Sequence, residues 1–429
     1  MNTADVVVIG AGLAGLTAAA DLSAAGVRVV TVEARSRAGG RAWTQPGALA
    51  GQPFEMGGML VDTSQLAITA ALNRYGLTTS PVADVQATAW WTAGRRRTST
   101  LPVPGEELPD LERAVRAWLD AAAAPDDPAL DGLSAESYFT ALNLGPHTSD
   151  LLSAFFSEHA SGSWATMSMR SLAEDLAGSG GSVSAWIASA TLAHTVDGGI
   201  SLLVDHLCRD AGPVHYDTPV RAIIDDSGHV TVHTDAGAMQ AAYVVLATPL
   251  NTWRNIDVHP SWPADAAALI ARGHAGRGSK FGLQLSGEAP DFALAAGTDL
   301  HVLLTMQRHA DGTRTAVVFG PDPSAVDPND TSAMTEMISR VAPDAKVLAA
   351  TGHDWTADPW SRGTWLVHYP ETTRAEIDAV HRAHGRIVPA GSDVATTSAS
   401  YLDGAVHSGH AAAHSVQTAL STTEKVSQP

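Results

Sequence analysis

The chain has 429 residues, 45% of them hydrophobic, which is enough for two or three domains and a sizeable core. A formal net charge of −19 argues against nucleic acid as a partner, since phosphates would be repelled, and the single cysteine, Cys208, excludes an intrachain disulfide or a cysteine-based metal cluster. The sequence has neither the run of about twenty apolar residues that a membrane helix needs nor a recognisable signal peptide, so we expect a cytoplasmic protein without a membrane segment or a metal site.

The first 34 residues predict a strand, a glycine-rich turn, a helix and a second strand. The turn carries Gly10, Gly12 and Gly15, and the second strand ends at Glu33. In such a unit the first glycine permits the tight turn, the second lets the backbone approach a pyrophosphate, and the third allows the helix to pack closely on the strand. The start of the helix then faces the phosphates, and the acid accepts hydrogen bonds from a ribose. The pattern therefore predicts a dinucleotide site rather than an ordinary glycine turn.

The rest of the chain alternates helical and strand patterns. Residues 35–62 are predicted to be rich in loops, and the arginine run at 95–97 is predicted to be a solvated turn. Helices are predicted at 64–75, 108–124, 134–142, 147–160, 200–211, 331–341 and 402–420. Strands are predicted at 280–285, 315–319 and 385–390, and at 214–216, 220–224, 229–234 and 243–247, where we expect a continuation of the first sheet.

Alternating strand and helix patterns like those of the first 34 residues recur in the middle and at the end of the chain. This predicts a discontinuous nucleotide-binding domain. The expected fold class is α/β, with a Rossmann-like domain and an α+β domain for the substrate. We assign residues 1–74, 196–270 and 355–420 to the first domain, 75–195 and 271–354 to the second, and 421–429 to a tail. Ligands usually bind in the cleft between such domains.

Further motifs accompany the glycine turn. They are Arg37-Ala-Gly-Gly-Arg41, Glu55-Met-Gly-Gly58, Gly198-Gly199, Ala390-Gly-Ser-Asp393 and Tyr401-Leu-Asp-Gly-Ala405. In this order and spacing the set resembles the flavin-containing amine oxidase, or monoamine oxidase, family. Within that family, the segments 249–254, 273–280, 353–359 and 391–394 are similar to the bacterial 6-hydroxynicotine oxidases of the L-specific type. The resemblance implies FAD as the dinucleotide.

The resemblance also implies which residues hold FAD. Glu33 would hold the adenosine ribose, and Arg37 and Arg41 would lie along the phosphates and the ribityl chain. Thr364 stands where covalently flavinylated members carry cysteine, so non-covalent FAD is expected. The implied FAD-binding set is Gly10, Gly12, Gly15, Glu33, Arg35, Gly40, Arg41, Gly57, Gly58, Val220, Trp355, Gly391, Ser392, Asp393 and Leu402.

The implied catalytic residues are Lys280, Trp365 and Tyr401. Lys280 matches a lysine that holds a water against flavin N5, where a desolvated amine can exchange protons near neutral pH. Trp365 and Tyr401 match two facing aromatic rings that orient the amine nitrogen toward the flavin. The implied reaction passes hydride from the amine α-carbon to flavin N5, giving an imine that hydrolyses, while molecular oxygen yields hydrogen peroxide. The implied substrate is a small secondary or cyclic, nicotine-like amine, and the chain could form a homodimer.

The sequence departs from the family pattern where the substrate is expected. Ser157, Glu158 and His159 stand where nicotine oxidases place an asparagine, and no tyrosine counterpart occurs at 303–305. The residues just before Tyr401 lack the usual glycine. We expect Glu158 to be a solvated helix carboxylate, although it could pair with a second cationic centre.

Two other functions are compatible with these motifs. An L-amino-acid oxidase of the same fold would need an arginine for the substrate carboxylate, and Arg170, Arg308 and Arg362 are candidates. A flavin-binding protein without oxidase activity would need only the cofactor site, but Lys280 and the aromatic pair argue against it.

Overall fold

The computed structural model describes residues 2–191, 194–226 and 228–427. Its centre is a parallel sheet, and the strand Val6–Ile9 in the middle of it is buried along its whole length. The helix Leu13–Ala24 and the strand Val29–Val32 follow, which confirms the predicted strand–turn–helix–strand unit. The strand order is Val214–His215, Val29–Val32, Val6–Ile9, Tyr243–Leu246 and Ile387–Pro389, so three distant parts of the chain meet in one sheet.

The two faces of this sheet have different coverings. On one face, Val6 and Val8 belong to an apolar cluster with the helices Leu13–Ala24, Ser201–Ala211 and Leu402–Ser427. On the other face, Val7 and Ile9 pack against a second sheet. A strand covered on both sides must be apolar throughout, which explains its uninterrupted run of valine and isoleucine.

The second sheet corrects the expectation that all strands of 214–247 extend the first. Only Val214–His215 and Tyr243–Leu246 join the parallel sheet. Within His229–Thr234, Val230 and Val232 point into the core while their neighbours are more exposed, which is the alternation of a sheet covered on one face. The order of the second sheet is Asn2–Thr3, Gly237–Ala241, His229–Thr234, Val220–Asp226 and Asp257–His259.

A third sheet is mostly antiparallel. The arginine run at its edge is a strand, Arg95–Arg97, and not the predicted solvated turn. Exposed arginines on an edge strand discourage pairing with another chain. The order of its seven strands is Lys346–Gly352, Ser279–Ser286, Arg314–Gly320, Val302–Arg308, Phe292–Ala295, Thr88–Thr92 and Arg95–Arg97.

The segment predicted to be loop-rich contains strands. A hairpin joins Thr44–Leu49 to Gln52–Glu55, and Leu60–Val61 pairs with His194–Val196, which in turn pairs with Thr79–Pro81. Short strands with little hydrophobic alternation carry no pattern that predicts them.

The predicted helices are present, most of them within a few residues of their expected bounds: Leu66–Arg74, Leu108–Ala123, Ala135–Thr140, Pro146–His159, Ser201–Ala211, Thr331–Ser339 and Leu402–Ser427. The last of these continues seven residues beyond its predicted end at 420, so most of the predicted tail is helical. Four others were missed, Met169–Gly178, Val183–Thr191, Ala264–Arg272 and Arg374–His381. A sequence signal existed for the last, because Thr373 and Glu376 form a capping box at its start. Short 3-10 helices occur at Gly105–Glu107, Pro128–Leu130, Trp164–Thr166, Leu250–Asn255 and Ser392–Val394. Within the described ranges, no helix combines the length and apolar character needed to cross a bilayer.

The hairpin of residues 44–55 offers a test of backbone strain. Its two-residue turn consists of Ala50 and Gly51, whose φ angles are 48° and 81°. Alanine is disfavoured at positive φ, whereas asparagine tolerates it and is common in such turns. Ala50→Asn is therefore expected to raise the free energy of unfolding by about 1 kcal/mol, measured by urea unfolding. An unchanged or lower stability would show that the turn is not strained at Ala50.

Candidate active site

One large cavity, about 1380 Å³ in volume, extends from the glycine turn to the seven-stranded sheet. Sites for one small ligand usually measure about 300–1,000 Å³, so this cavity has room for a dinucleotide together with a substrate. Three of the residues predicted to bind FAD, Gly15, Arg37 and Asp393, are not on its wall. The Arg37 guanidinium instead donates to the carbonyl oxygens of Ala38 and Gly40, at 3.1 and 3.0 Å. The other predicted site residues are on the wall: Gly10, Gly12, Glu33, Arg35, Gly40, Arg41, Gly57, Gly58, Val220, Lys280, Trp355, Trp365, Gly391, Ser392, Tyr401 and Leu402.

The three glycines of the turn have three distinct surroundings. Gly10 has a φ of 101°, and a Cβ there would lie 2.9 Å from the carbonyl oxygen of Ala247. A Cβ on Gly15 would clash with the carbonyl oxygen of Gly10, so Gly15 serves the contact between helix and strand and is not on the wall. At Gly12 the nearest atom to a Cβ would be 4.0 Å away, and no side chain caps the helix that begins after it. The turn thus leaves an open cradle beside unpaired helix N–H groups, which fits a pyrophosphate.

Glu33 is fixed at the end of its strand by the glycine turn itself. Its carboxylate accepts hydrogen bonds from the backbone N–H groups of Ala11 and Arg35, both at 2.8 Å. The Arg35 guanidinium in turn donates to Asp358 at 2.8 Å and to the Ser361 hydroxyl at 2.9 Å. The acid predicted to bind a ribose is therefore 4% exposed and held on the cavity wall.

Arg41 and Asp393 form an ion pair behind the middle of the cavity. The Arg41 guanidinium donates to Asp393 at 2.8 Å and to the carbonyl oxygen of Thr364 at 2.5 Å. Asp393 also accepts from the backbone N–H of Leu250 at 3.0 Å. Burial alone would raise the pKa of Asp393, but Arg41 and the other neighbours hold it below its usual range. Asp393 thus lies outside the wall and orients Arg41, which is on it.

Lys280 projects from the strand Ser279–Ser286 toward the backbone of the Glu55–Gly58 motif. Its ammonium donates to the carbonyl oxygens of Glu55 and Gly57, at 2.8 and 2.5 Å. Burial lowers the pKa of Lys280 to about 7, against the opposing effect of the Glu55 carboxylate. Glu55 accepts from the backbone N–H of Ile200 at 2.7 Å, and burial raises its pKa. The motif Glu55-Met-Gly-Gly58 did not by itself indicate this role of the Glu55 carboxylate beside Lys280.

The three predicted aromatic residues occupy two parts of the wall. Trp365 donates its indole N–H to the carbonyl oxygen of His159 at 3.0 Å, and Tyr401 stands just before the last helix. Trp355 lies further toward the glycine turn and donates to the carbonyl oxygen of Met56 at 2.9 Å. Ser400, where the family pattern has glycine, adopts a φ of 76°. Position 400 therefore has the positive φ that favours glycine, although its residue is serine.

The cavity wall also has an apolar side and an acidic side. The apolar side is formed by strands of the seven-stranded sheet and includes Phe292, Leu304 and Phe319. On the acidic side, Glu158 is half-buried on the cavity wall, where burial raises its pKa, and does not lie on the solvated helix face that was expected. The helix bearing it turns this face inward, which helical spacing alone did not reveal. Ser157, by contrast, is buried and accepts from the backbone N–H of Trp164 at 3.2 Å.

The arginines considered for a substrate carboxylate lie elsewhere. Arg170 pairs with Asp131, and Arg308 pairs with Asp291 at 2.6 Å. Arg362 is exposed, and none of the three is on the cavity wall.

The Rossmann-like sheet and the cavity that begins at its glycine turn define the general class, an α/β protein built around a large ligand site. Residues 13–417 match the family described as flavin containing amine oxidoreductase, and the chain belongs to that family. This confirms the predicted family and fold, and with them a flavin cofactor and an enzyme that oxidises amines.

Two curated relatives span nearly the whole chain. Pseudooxynicotine dehydrogenase of a Pseudomonas species is 29% identical over 97% of this chain and 86% of its own length. (S)-6-Hydroxynicotine oxidase of Paenarthrobacter nicotinovorans is 28% identical over 96% of this chain and 99% of its own length. Among solved structures, wild-type putrescine oxidase bound to putrescine aligns with a TM-score of 0.86 at 23% identity, covering 97% of this chain and 99% of that one. This last likeness is one of fold.

Proposed function

We propose that this protein is an FAD-dependent amine oxidase in which residues 1–74, 196–270 and 355–420 bind FAD and 75–195 and 271–354 bind the amine. The observation that carries the proposal is that Lys280, Trp365 and Tyr401 share one cavity with the glycine turn. A dinucleotide anchored at Gly12 and extended along this cavity would bring its far end to the lysine and the two rings.

The residues on the wall suit FAD along its length. Gly12 gives the pyrophosphate access to the helix N-terminus, Glu33 offers its carboxylate to the ribose, and Arg41 supplies a positive charge further along. Thr364 carries no thiol, and its hydroxyl is 2.5 Å from that of Ser161, so we expect FAD to remain non-covalent.

When bound, the flavin would accept a hydride from the carbon next to the amine nitrogen, and the nitrogen would lose its proton to leave an imine; the two electrons and two protons would then reduce oxygen to hydrogen peroxide. The residues of the chain supply position and environment. Trp365 and Tyr401 orient the neutral amine, and the apolar side, including Phe319, excludes water. Lys280, with its lowered pKa, holds a water and can exchange a proton near neutral pH.

The charges on the acidic side of the cavity favour an amine over an amino acid as the substrate. The arginine on this part of the wall, Arg374, is already paired with Glu174 at 2.9 Å. A substrate carboxylate would also meet the negative charges of Glu158 and Asp175. The names of the two curated relatives support a small secondary or cyclic amine related to nicotine.

The purified protein is expected to be yellow and to release its flavin into the supernatant on acid precipitation. Under anaerobic conditions an amine substrate should bleach the flavin absorbance, and in air each turnover should yield one hydrogen peroxide. A panel of n-alkylamines, N-methylamines and pyrrolidines, each compared with its α-carboxylated analogue, would identify the substrate class. Bleaching by the amino acids alone, or by no compound, would contradict the proposal.

A further inference from the structure

The helix Pro146–His159 ends at the cavity and brings there a carboxylate that the proposed reaction does not use. Glu158 lies on the wall together with Phe155 and His159. Among the described residues its carboxylate has neither a hydrogen-bond donor nor an ion-pair partner, and the nearest imidazole, that of His159, has its Nε2 atom 3.5 Å from Asp175 instead. Burial raises the pKa of Glu158, with His159 opposing the shift.

Glu158 is close to both aromatic residues assigned to the amine. The residue that follows it, His159, accepts the indole hydrogen bond of Trp365. Burial raises the pKa of Tyr401, and the negative charges of Asp175 and Glu158 add to that effect. Glu158, Trp365 and Tyr401 thus line one cavity, and the carboxylate is hydrogen-bonded to neither ring.

A carboxylate in this position is costly for the free protein, because part of its hydration is lost and no protein group replaces it. A protonated nitrogen at hydrogen-bond distance would remove that cost. We propose that Glu158 binds a second, protonated nitrogen of the substrate, so that the preferred substrates are diamines. One nitrogen lies neutral between Trp365 and Tyr401, and the other reaches Glu158 as an ammonium. This assignment rests on the proposed amine oxidase function.

The charges around Glu158 suit a dication. Glu174, Asp175 and Asp378 line the same cavity, and the Arg374 guanidinium is paired with Glu174. The chain as a whole carries a formal net charge of −19. Such a field attracts cations toward the cavity and repels substrates that bear a carboxylate.

Steady-state kinetics with linear α,ω-diamines and n-alkylamines of the same length test the assignment on the holoenzyme. The variants are Glu158→Gln and, as a matched control, Glu136→Gln, which removes one exposed charge from the helix Ala135–Thr140 away from the cavity. The diamine-to-monoamine ratio of kcat/KM is expected to fall at least about tenfold in Glu158→Gln, mainly through KM, and to stay within about twofold in Glu136→Gln. An equal loss for both substrates would make Glu158 a positioning residue for Trp365 and overturn the assignment.

A binding measurement separates this inference from the oxidase function. Calorimetry with a protonated α,ω-diamine whose α-carbons bear no hydrogen, a bis-cation that cannot be oxidised, is compared with the matching monoamine. We expect the wild type to prefer the bis-cation and Glu158→Gln to lose that preference. Equal binding of both cations by the wild type would refute the role of Glu158 even if alkylamines were oxidised. A preference for the bis-cation without turnover of any amine would refute the oxidase function but would support the cation site at Glu158.

Discussion

Gly12→Ala is expected to abolish FAD binding and to leave the flavin-free fold intact. A methyl group at this position would have its nearest atom, the carbonyl oxygen of Gly39, 4.0 Å away, so the protein itself has room for it. The same methyl would occupy the cradle through which a pyrophosphate reaches the N-terminus of the helix Leu13–Ala24. We expect the Kd for FAD to rise at least about 100-fold. This corresponds to the loss of about 3 kcal/mol of charge-assisted hydrogen bonding. Titration of flavin-free protein with FAD, together with its thermal unfolding, measures both effects.

Two further glycines serve as controls for this variant. Gly105→Ala adds a methyl where nothing lies within 4 Å and away from the cavity, so neither FAD binding nor stability should change. Gly15→Ala forces a clash with the carbonyl oxygen of Gly10 and should lower the unfolding temperature as well as FAD affinity. Unchanged FAD affinity in Gly12→Ala would mean that no phosphate approaches this turn.

The parts of the fold that could be predicted are those whose pattern is local. The first strand, its turn and its helix depend on neighbouring residues, and they were located to within a few positions. The strands at 220–234 were recognised as strands but placed in the wrong sheet, because pairing partners are chosen by tertiary contacts that the strand sequence does not encode. The alternation of Val230 and Val232 with polar residues was the one sequence feature that indicated a sheet covered on a single face.

The same limit applies to the cavity. Glycine motifs, Lys280 and the aromatic pair could be proposed because their spacing matches a family pattern. The position of Glu158 on the cavity wall could not be predicted, since a helix of this composition has a weak preference for one face and packing decides which side points inward. The pairing of Lys280 with the backbone of Glu55 and Gly57 spans more than 220 residues of sequence and is a property of the fold.

Lys280→Met is expected to slow the reaction of the reduced enzyme with oxygen by about 100-fold, far more than it slows reduction by the amine. In the proposed mechanism the ammonium of Lys280 holds a water. Negative charge develops beside it during the reaction with oxygen. Stopped-flow experiments measure the two half-reactions separately. Lys346→Met, on the exposed edge of the same sheet, is the matched control and should change neither rate. Equal slowing of both half-reactions would indicate that Lys280 positions the substrate or the cofactor instead.

The pH dependence of stability tests the burial of Lys280 without reference to turnover. Its pKa is about 7 in the folded protein against an ordinary value of 10.5, so between these values the unfolded chain binds more protons than the folded one. The cost of burying the ammonium is complete below the lower pKa and disappears above the higher one. Flavin-free Lys280→Met should therefore gain stability relative to the wild type at neutral pH, and that gain should shrink as the pH rises toward 10.5. A difference in unfolding temperature that is independent of pH would show that Lys280 keeps its ordinary pKa, and that its proton is not available near neutrality.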